Sequence, residues 1–139
     1  DPDERGACRM VIDTSVLVSL LRGDREAERL HSAIMADPTR LVAAATVIEA
    51  ALVLLGERGP GSDDDLDALL LELDLEVVPV TAEQTARARL AARLFGRGRH
   101  AARLNFGDLF SYALAMEQRE PLLFVGDDFA RTDVAAAEW

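Results

Sequence analysis

Asp13, Glu49, Asp108 and the adjacent Asp127 and Asp128 each follow an apolar run that reads as a strand or open a stretch that reads as a helix. Carboxylates are hard oxygen donors, and several meeting at one point suit magnesium or manganese, ions that keep some waters and leave room for a phosphate. Zinc would ask for histidine or cysteine. His31 and His100 read as surface residues without ligand spacing, and Cys8 stands alone. Two carboxylates about 5 Å apart repel by roughly 3 kcal/mol at an effective dielectric near 20, so a cluster of them either holds protons or recruits a cation. The chemistry on offer is metal-assisted phosphodiester hydrolysis, which needs no protein nucleophile. The chain carries no Ser/His/Asp or Cys/His pattern that would supply one.

Each acid also has a purely structural explanation. Asp13 reads as a helix N-cap, and Thr46-Val47-Ile48-Glu49 matches the capping-box pattern. Asp108 falls in a first helical turn, where the macrodipole favours an acid, and Asp127 and Asp128 sit in a turn. These local roles account for single acids. They do not account for acids at several junctions that a parallel α/β sheet would gather along one edge. Thr14 and Ser15 are expected to help start the first helix, with hydroxyls able to reach a neighbouring carboxylate or a metal-bound water.

The elements that must position these residues alternate. Met10–Ile12 reads as a short buried strand, followed by helices over 14–21 and about 25–35. A second strand is expected over 41–45 and an apolar helix from Thr46 to about Leu55. Gly59-Pro60-Gly61-Ser62 is a loop, and Ser62 is expected to cap a helix reaching Leu73. A third strand spans 75–80, and Thr81-Ala82-Glu83-Gln84 is a capping box for a helix to Phe95. After a loop over 96–103, Asn105-Phe106-Gly107-Asp108 opens a helix ending near Gln118. Leu122–Val125 is the last strand, and Gly126-Asp127-Asp128-Phe129 is a turn. This order predicts an α/β fold with a parallel sheet covered on both faces.

With 139 residues, 50% of them hydrophobic, the chain has the size of one domain with a sizeable core. Residues 1–9 lack periodicity and read as an N-terminal extension, with the domain running over 10–139. Neither a long apolar run nor a secretory layout is evident, so a cytoplasmic protein without membrane contact is expected. A net charge of −10 argues against simple charge-neutralising binding to nucleic acid. A cation-loaded acidic site nevertheless attracts phosphate. All fifteen basic residues are arginine. Arg87, Arg89, Arg93, Arg97, Arg99 and Arg103 form the one basic stretch, in which Arg97, Arg99 and Arg103 are candidates for guiding a phosphate backbone toward Asp108.

The segments Val11-Ile12-Asp13-Thr14-Ser15, the Glu49 helix, Asn105-Phe106-Gly107-Asp108 with Tyr112-Ala113-Leu114-Ala115, and Leu122–Phe129 followed by Thr132-Asp133 resemble PIN-domain ribonucleases. Among these the chain is similar to VapC toxins. The resemblance covers about 10–134. It implies a three-layer α/β/α fold on a parallel sheet of four to five strands, and Mg²⁺- or Mn²⁺-dependent endoribonuclease activity on RNA such as tRNA or rRNA. It also implies a VapB-type antitoxin and a homodimer. By resemblance Asp13, Glu49 and Asp108 take the principal acidic positions. Many PIN domains carry the fourth acid where this sequence has Gly126, so Asp128 is taken as the fourth and Asp127 as its alternative.

Other readings are weaker. A response-regulator receiver relies on a lysine, and this chain has none. A haloacid-dehalogenase-like phosphatase wants a second aspartate where Ser15 stands. A non-catalytic protein-binding module, whose acids merely receive an arginine-bearing peptide, is the alternative of a different class. The apolar runs 47–55 and 66–73 are candidate dimer or antitoxin surface.

Overall fold

A computed structural model describes residues 9–98, 100 and 102–139. Cys8, most of the expected extension and Arg99 lie outside the described residues. The elements run β1 (Arg9–Ile12), α1 (Thr14–Arg22), α2 (Ala27–Met35), β2 (Thr39–Ala43), α3 (Ala44–Arg58), α4 (Ser62–Glu72), β3 (Glu76–Val78), α5 (Ala82–Phe95), α6 (Phe106–Gln118) and β4 (Leu122–Leu123). The strands form one four-stranded sheet in the order β3-β2-β1-β4. All pairings are parallel, with Val11 opposite both Leu41 and Leu122.

The period-two alternation of the strands sorts their side chains into two cores. Met10, Ile12, Val42 and Leu123 face Val16 and Leu17 of α1, Leu30 and Ile34 of α2, Ala50 of α3, Leu66 and Leu69 of α4 and Leu73 at its C-cap. Val11, Leu41, Ala43 and Leu122 face Ala91 of α5 and Tyr112, Leu114 and Ala115 of α6. Strands β1, β2 and β4 therefore bury apolar residues on both faces, as a doubly covered parallel sheet requires. Because β2 and β3 lie on one side of β1 and β4 on the other, the sheet has its switch point between β1 and β4. The crevice outside the strand ends at that point is where such folds bind ligands. Asp13 directly follows β1 there, its N–H bonded to Leu123 O at 3.1 Å.

Several expected boundaries move. Strand β1 begins at Arg9, one residue into the expected extension. Helix α3 starts at Ala44 behind Ala43, which has no capping side chain, so Thr46 is not a cap and forms no capping box with Glu49. Thr46 is instead buried inside the helix, its hydroxyl 3.2 Å from that of Ser111. Ser62 is the first residue of α4 and not its cap; its Oγ donates to Gly59 O at 2.8 Å. The Thr81 box is half made: Thr81 Oγ1 accepts from Gln84 N at 3.1 Å. The Gln84 amide turns inward and donates to Pro79 O at 3.2 Å and to Glu117 Oε1 at 2.9 Å. Of the run 66–73, Leu66, Leu69 and Leu73 are core, which leaves Leu71 as its exposed hydrophobic residue.

Candidate metal centre

Asp13 is 4% exposed and has little freedom. As N-cap of α1 it accepts from Ser15 N at 3.1 Å and Ser15 Oγ at 2.8 Å through Oδ2. Its Oδ1 accepts from Ser111 Oγ of α6 at 2.6 Å. The Ser15 hydroxyl also accepts from Val125 N at 3.0 Å, tying the end of β1 to the segment that carries Asp127 and Asp128. Burial pushes the Asp13 carboxyl above the usual range against the opposing pull of the Ser111 and Ser15 hydrogen bonds. The cap predicted for Asp13 is thus real, and the same carboxylate lies in the crevice at the switch point.

Asp108 is held by a different device. Asn105 caps α6, its side chain accepting from Asp108 N at 2.9 Å while Asp108 Oδ2 accepts from Asn105 N at 3.0 Å. This reciprocal pair fixes the carboxylate at the helix entrance. Burial pushes its pKa up to about 7; the Asn105 N–H opposes that rise, and the charges of Asp128 and Asp13 and a hydrogen bond with Asp128 add to it. Asp108 is therefore the point where the acids meet. Asp128 reaches it by a side-chain hydrogen bond, and the charge of Asp13 acts on it through space. Asp127 lines the same cleft, but it is Asp128 that interacts with Asp108.

Glu49 approaches from α3. Its Oε1 accepts from Thr14 Oγ1 at 2.5 Å, and its carboxylate rests against Gly107 of α6. Thr14 and Ser15 thus each bond a carboxylate, one from α3 and one from β1. Among the described residues, no three His, Cys, Asp or Glu side chains are drawn close enough to cage an ion as they stand. Asp13, Asp108 and Asp128 share an electrostatic field without forming a closed shell. The donor set, carboxylate oxygens gathered at one crevice, fits a hard divalent ion whose remaining ligands are water and phosphate.

A cleft of about 970 Å³ opens onto this point, lined by Arg97, Gly98, Arg103, Asn105, Asp127, Asp128 and Arg131. Arg97 and Arg103 are sequence candidates brought to it; Arg131, from the far side of the acidic turn, is one that sequence reasoning missed. Ser111 and Thr46 were also missed. A serine within a helix and a threonine near a helix start carry no mark of a buried bond to a carboxylate. His100 is structural: its Nδ1 accepts from Ala102 N at 2.9 Å and its ring meets Phe95 edge-on. His31 pairs with Glu72 on the surface at 3.0 Å.

Beside Glu49 lies a smaller, apolar-walled hollow of about 510 Å³ lined by Ile48, Leu52, Phe106, Gly107 and Phe110. Its rim is unusually apolar for a surface, with Phe106 77%, Leu52 64% and Ile48 61% exposed. Among the described residues, no helix is long and apolar enough to cross a membrane.

Comparison with known proteins agrees with this fold. A family model for the PIN domain matches residues 10–135. A VapC ribonuclease of Mycobacterium bovis is 46% identical over 126 residues, covering 91% of this chain and 96% of that protein. Ribonuclease VapC of Mycolicibacterium smegmatis is 46% identical over 127 residues, with 91% and 98% covered. In fold, the chain is similar to the crystal structure of Mycobacterium tuberculosis VapC20, a sarcin-ricin loop cleaving toxin, with TM-score 0.74, 20% identity and 91% and 96% coverage. It is also similar in fold to a chain of VapBC2 from Rickettsia felis bound to promoter DNA, with TM-score 0.71, 14% identity and 94% and 97% coverage. The chain belongs to the PIN-domain family and, within it, to the VapC ribonucleases.

Proposed function

We propose that this VapC-family chain is an endoribonuclease toxin that hydrolyses phosphodiester bonds in tRNA or rRNA with Mg²⁺ or Mn²⁺ held by Asp13, Asp108 and Asp128, and with Glu49 as a further acid. The observation that carries the reading is the meeting of Asp13 and Asp128 at Asp108, whose pKa of about 7 marks a site in want of a cation. When bound, such an ion supplies a water of lowered pKa and offsets charge on the phosphate. The protein's own part is placement. Ser15 and Ser111 orient Asp13, Asn105 orients Asp108, and Thr14 orients Glu49. Arg97, Arg103 and Arg131 line the cleft and bind phosphates flanking the scissile bond, a task suited to guanidinium. RNA as substrate places the work in the cytoplasm.

A VapB-type antitoxin and a second copy of the chain are the partners this reading implies. The exposed apolar rim of Ile48, Leu52 and Phe106 supports a protein contact beside the acids. An antitoxin arginine entering the acidic crevice would satisfy the carboxylates in place of the metal.

The test is cleavage of total RNA by wild-type protein and Asp13→Asn, with Mn²⁺ or with chelator, followed by mapping of the new ends. Wild type should cut at defined sites only with the ion, and the variant should keep its fold and lose the cuts. Retained cleavage by Asp13→Asn, or cleavage in chelator, contradicts the assignment. A folded wild type that cuts nothing would be a binding module instead.

A further inference from the structure

We propose that Gly107 is a positioning residue whose missing side chain is the seat of the Glu49 carboxylate. The inference rests on the metal-site reading above and adds to it a residue with no donor atom of its own. Gly107 is buried in the first turn of α6 and its φ is not in the left-handed region, so no backbone demand calls for glycine there. Glycine is a poor helix former, and alanine would be favoured at such a position. Space gives the reason. A Cβ built on residue 107 would lie 1.9 Å from Glu49 Oε2, 2.2 Å from Cδ and 2.3 Å from Oε1. All the atoms it meets most closely belong to this one carboxylate, and none is backbone.

On its other side the carboxylate is held by the Thr14 hydroxyl at 2.5 Å. Glu49 is therefore gripped between the first residue of α1 and the first turn of α6, the two helix entrances that adjoin Asp13 and Asp108. A Cβ at 107 would force Oε2 back by at least 1.1 Å to reach the 3.0 Å that real Cβ contacts observe. Because only the far end of a flexible side chain must move, the fold accommodates the change. The acid itself is displaced from its neighbours, and misplacement by about 1 Å at a reacting centre costs on the order of 10²-fold.

The experiment is a double-mutant cycle of Gly107→Ala and Glu49→Ala, read by calorimetric Mn²⁺ binding and thermal unfolding together with RNA cleavage. The expected result is that Gly107→Ala leaves the melting temperature unchanged or higher, weakens Mn²⁺ binding about 10-fold and lowers kcat more than it changes KM, by analogy with other misplaced groups. In the Glu49→Ala background the same glycine change should be silent, because its only target is gone. Equal effects in both backgrounds, or no effect in either, overturn the proposal. Should Gly107→Ala fail to fold, Gly107→Ala/Glu49→Ala should fold; a double variant that stays unfolded overturns it as well. A wild type that takes up no Mn²⁺ removes the metal reading and this inference with it, whereas tight wild-type binding matched by Gly107→Ala removes this inference alone.

Discussion

Metal binding should compete with a proton on Asp108. The metal-free carboxyl titrates at about 7, chiefly because it is buried, with Asp128 and Asp13 adding negative charge around it. An entering cation must displace that proton, so below pH 7 each unit of acid should weaken apparent Mn²⁺ affinity tenfold, about 1.4 kcal/mol per unit. Between pH 7 and pH 5 the loss is about 50-fold, since the carboxyl is half ionised at pH 7. Calorimetry at pH 6 in two buffers of different ionisation enthalpy should report about one proton released per ion bound, and Asp108→Asn should abolish that release. The same group acts on stability in the opposite sense to an ordinary acid. Its folded pKa lies above the unfolded value of about 3.9, so its contribution is fully present below pH 4 and is lost as pH rises through 7. Metal-free protein should melt progressively lower across this window, and Mn²⁺ should raise the melting temperature more at pH 8 than at pH 6. Mn²⁺ affinity that stays flat from pH 5.5 to 7.5 would refute the reasoning, since it would mean that no proton is held where the ion binds.

Further predictions follow from individual contacts. Ser111→Ala removes the donor to Asp13 Oδ1 and the neighbour of Thr46; urea unfolding should show about 1–3 kcal/mol of lost stability, and RNA cleavage should fall with it. Replacing Arg97, Arg103 and Arg131 together with Gln should lower RNA affinity and reduce the slope of log affinity against log salt by about 2, roughly 0.7 per lost phosphate contact on a single strand. Arg40 donates to the carbonyls of Ile34, Met35 and Asp37 around the end of α2 and of Leu73 at the end of α4. Arg40→Ala should cost about 2–4 kcal/mol of stability in urea without changing the cleavage sites, because it leaves helix-end carbonyls without partners.

The parts of the site that could be read in the sequence are those where local chemistry and position coincide. Asp13 after an apolar triplet and Asp108 in the turn after Asn105 are helix-start signals; Asp13 makes the predicted cap, and Asp108 sits in the predicted first turn, bonded back to the Asn105 cap. Because capping and gathering at the sheet edge use the same atoms, the structural reading of these residues did not compete with the functional one. Thr46 and Glu49 misled for the same reason inverted. Their spacing matches a capping box, but α3 begins behind Ala43, an alanine that offers no start signal. Contacts across elements left no trace. Ser111 meets Asp13 only because α6 packs over β1, and the space at Gly107 is meaningful only once α3 lies beside it. Arg131, a single arginine in a turn, had no periodicity to single it out. Asp127 and Asp128 are adjacent acids in one turn, and no sequence pattern tells which of them acts on Asp108.

The most direct test of the account is the position of a manganese ion in crystals of the protein, located by its anomalous scattering. The account predicts a peak in the crevice between Asp13, Asp108 and Asp128, lost in Asp108→Asn. A peak elsewhere, or none in crystals of protein that cleaves RNA with Mn²⁺, would contradict it.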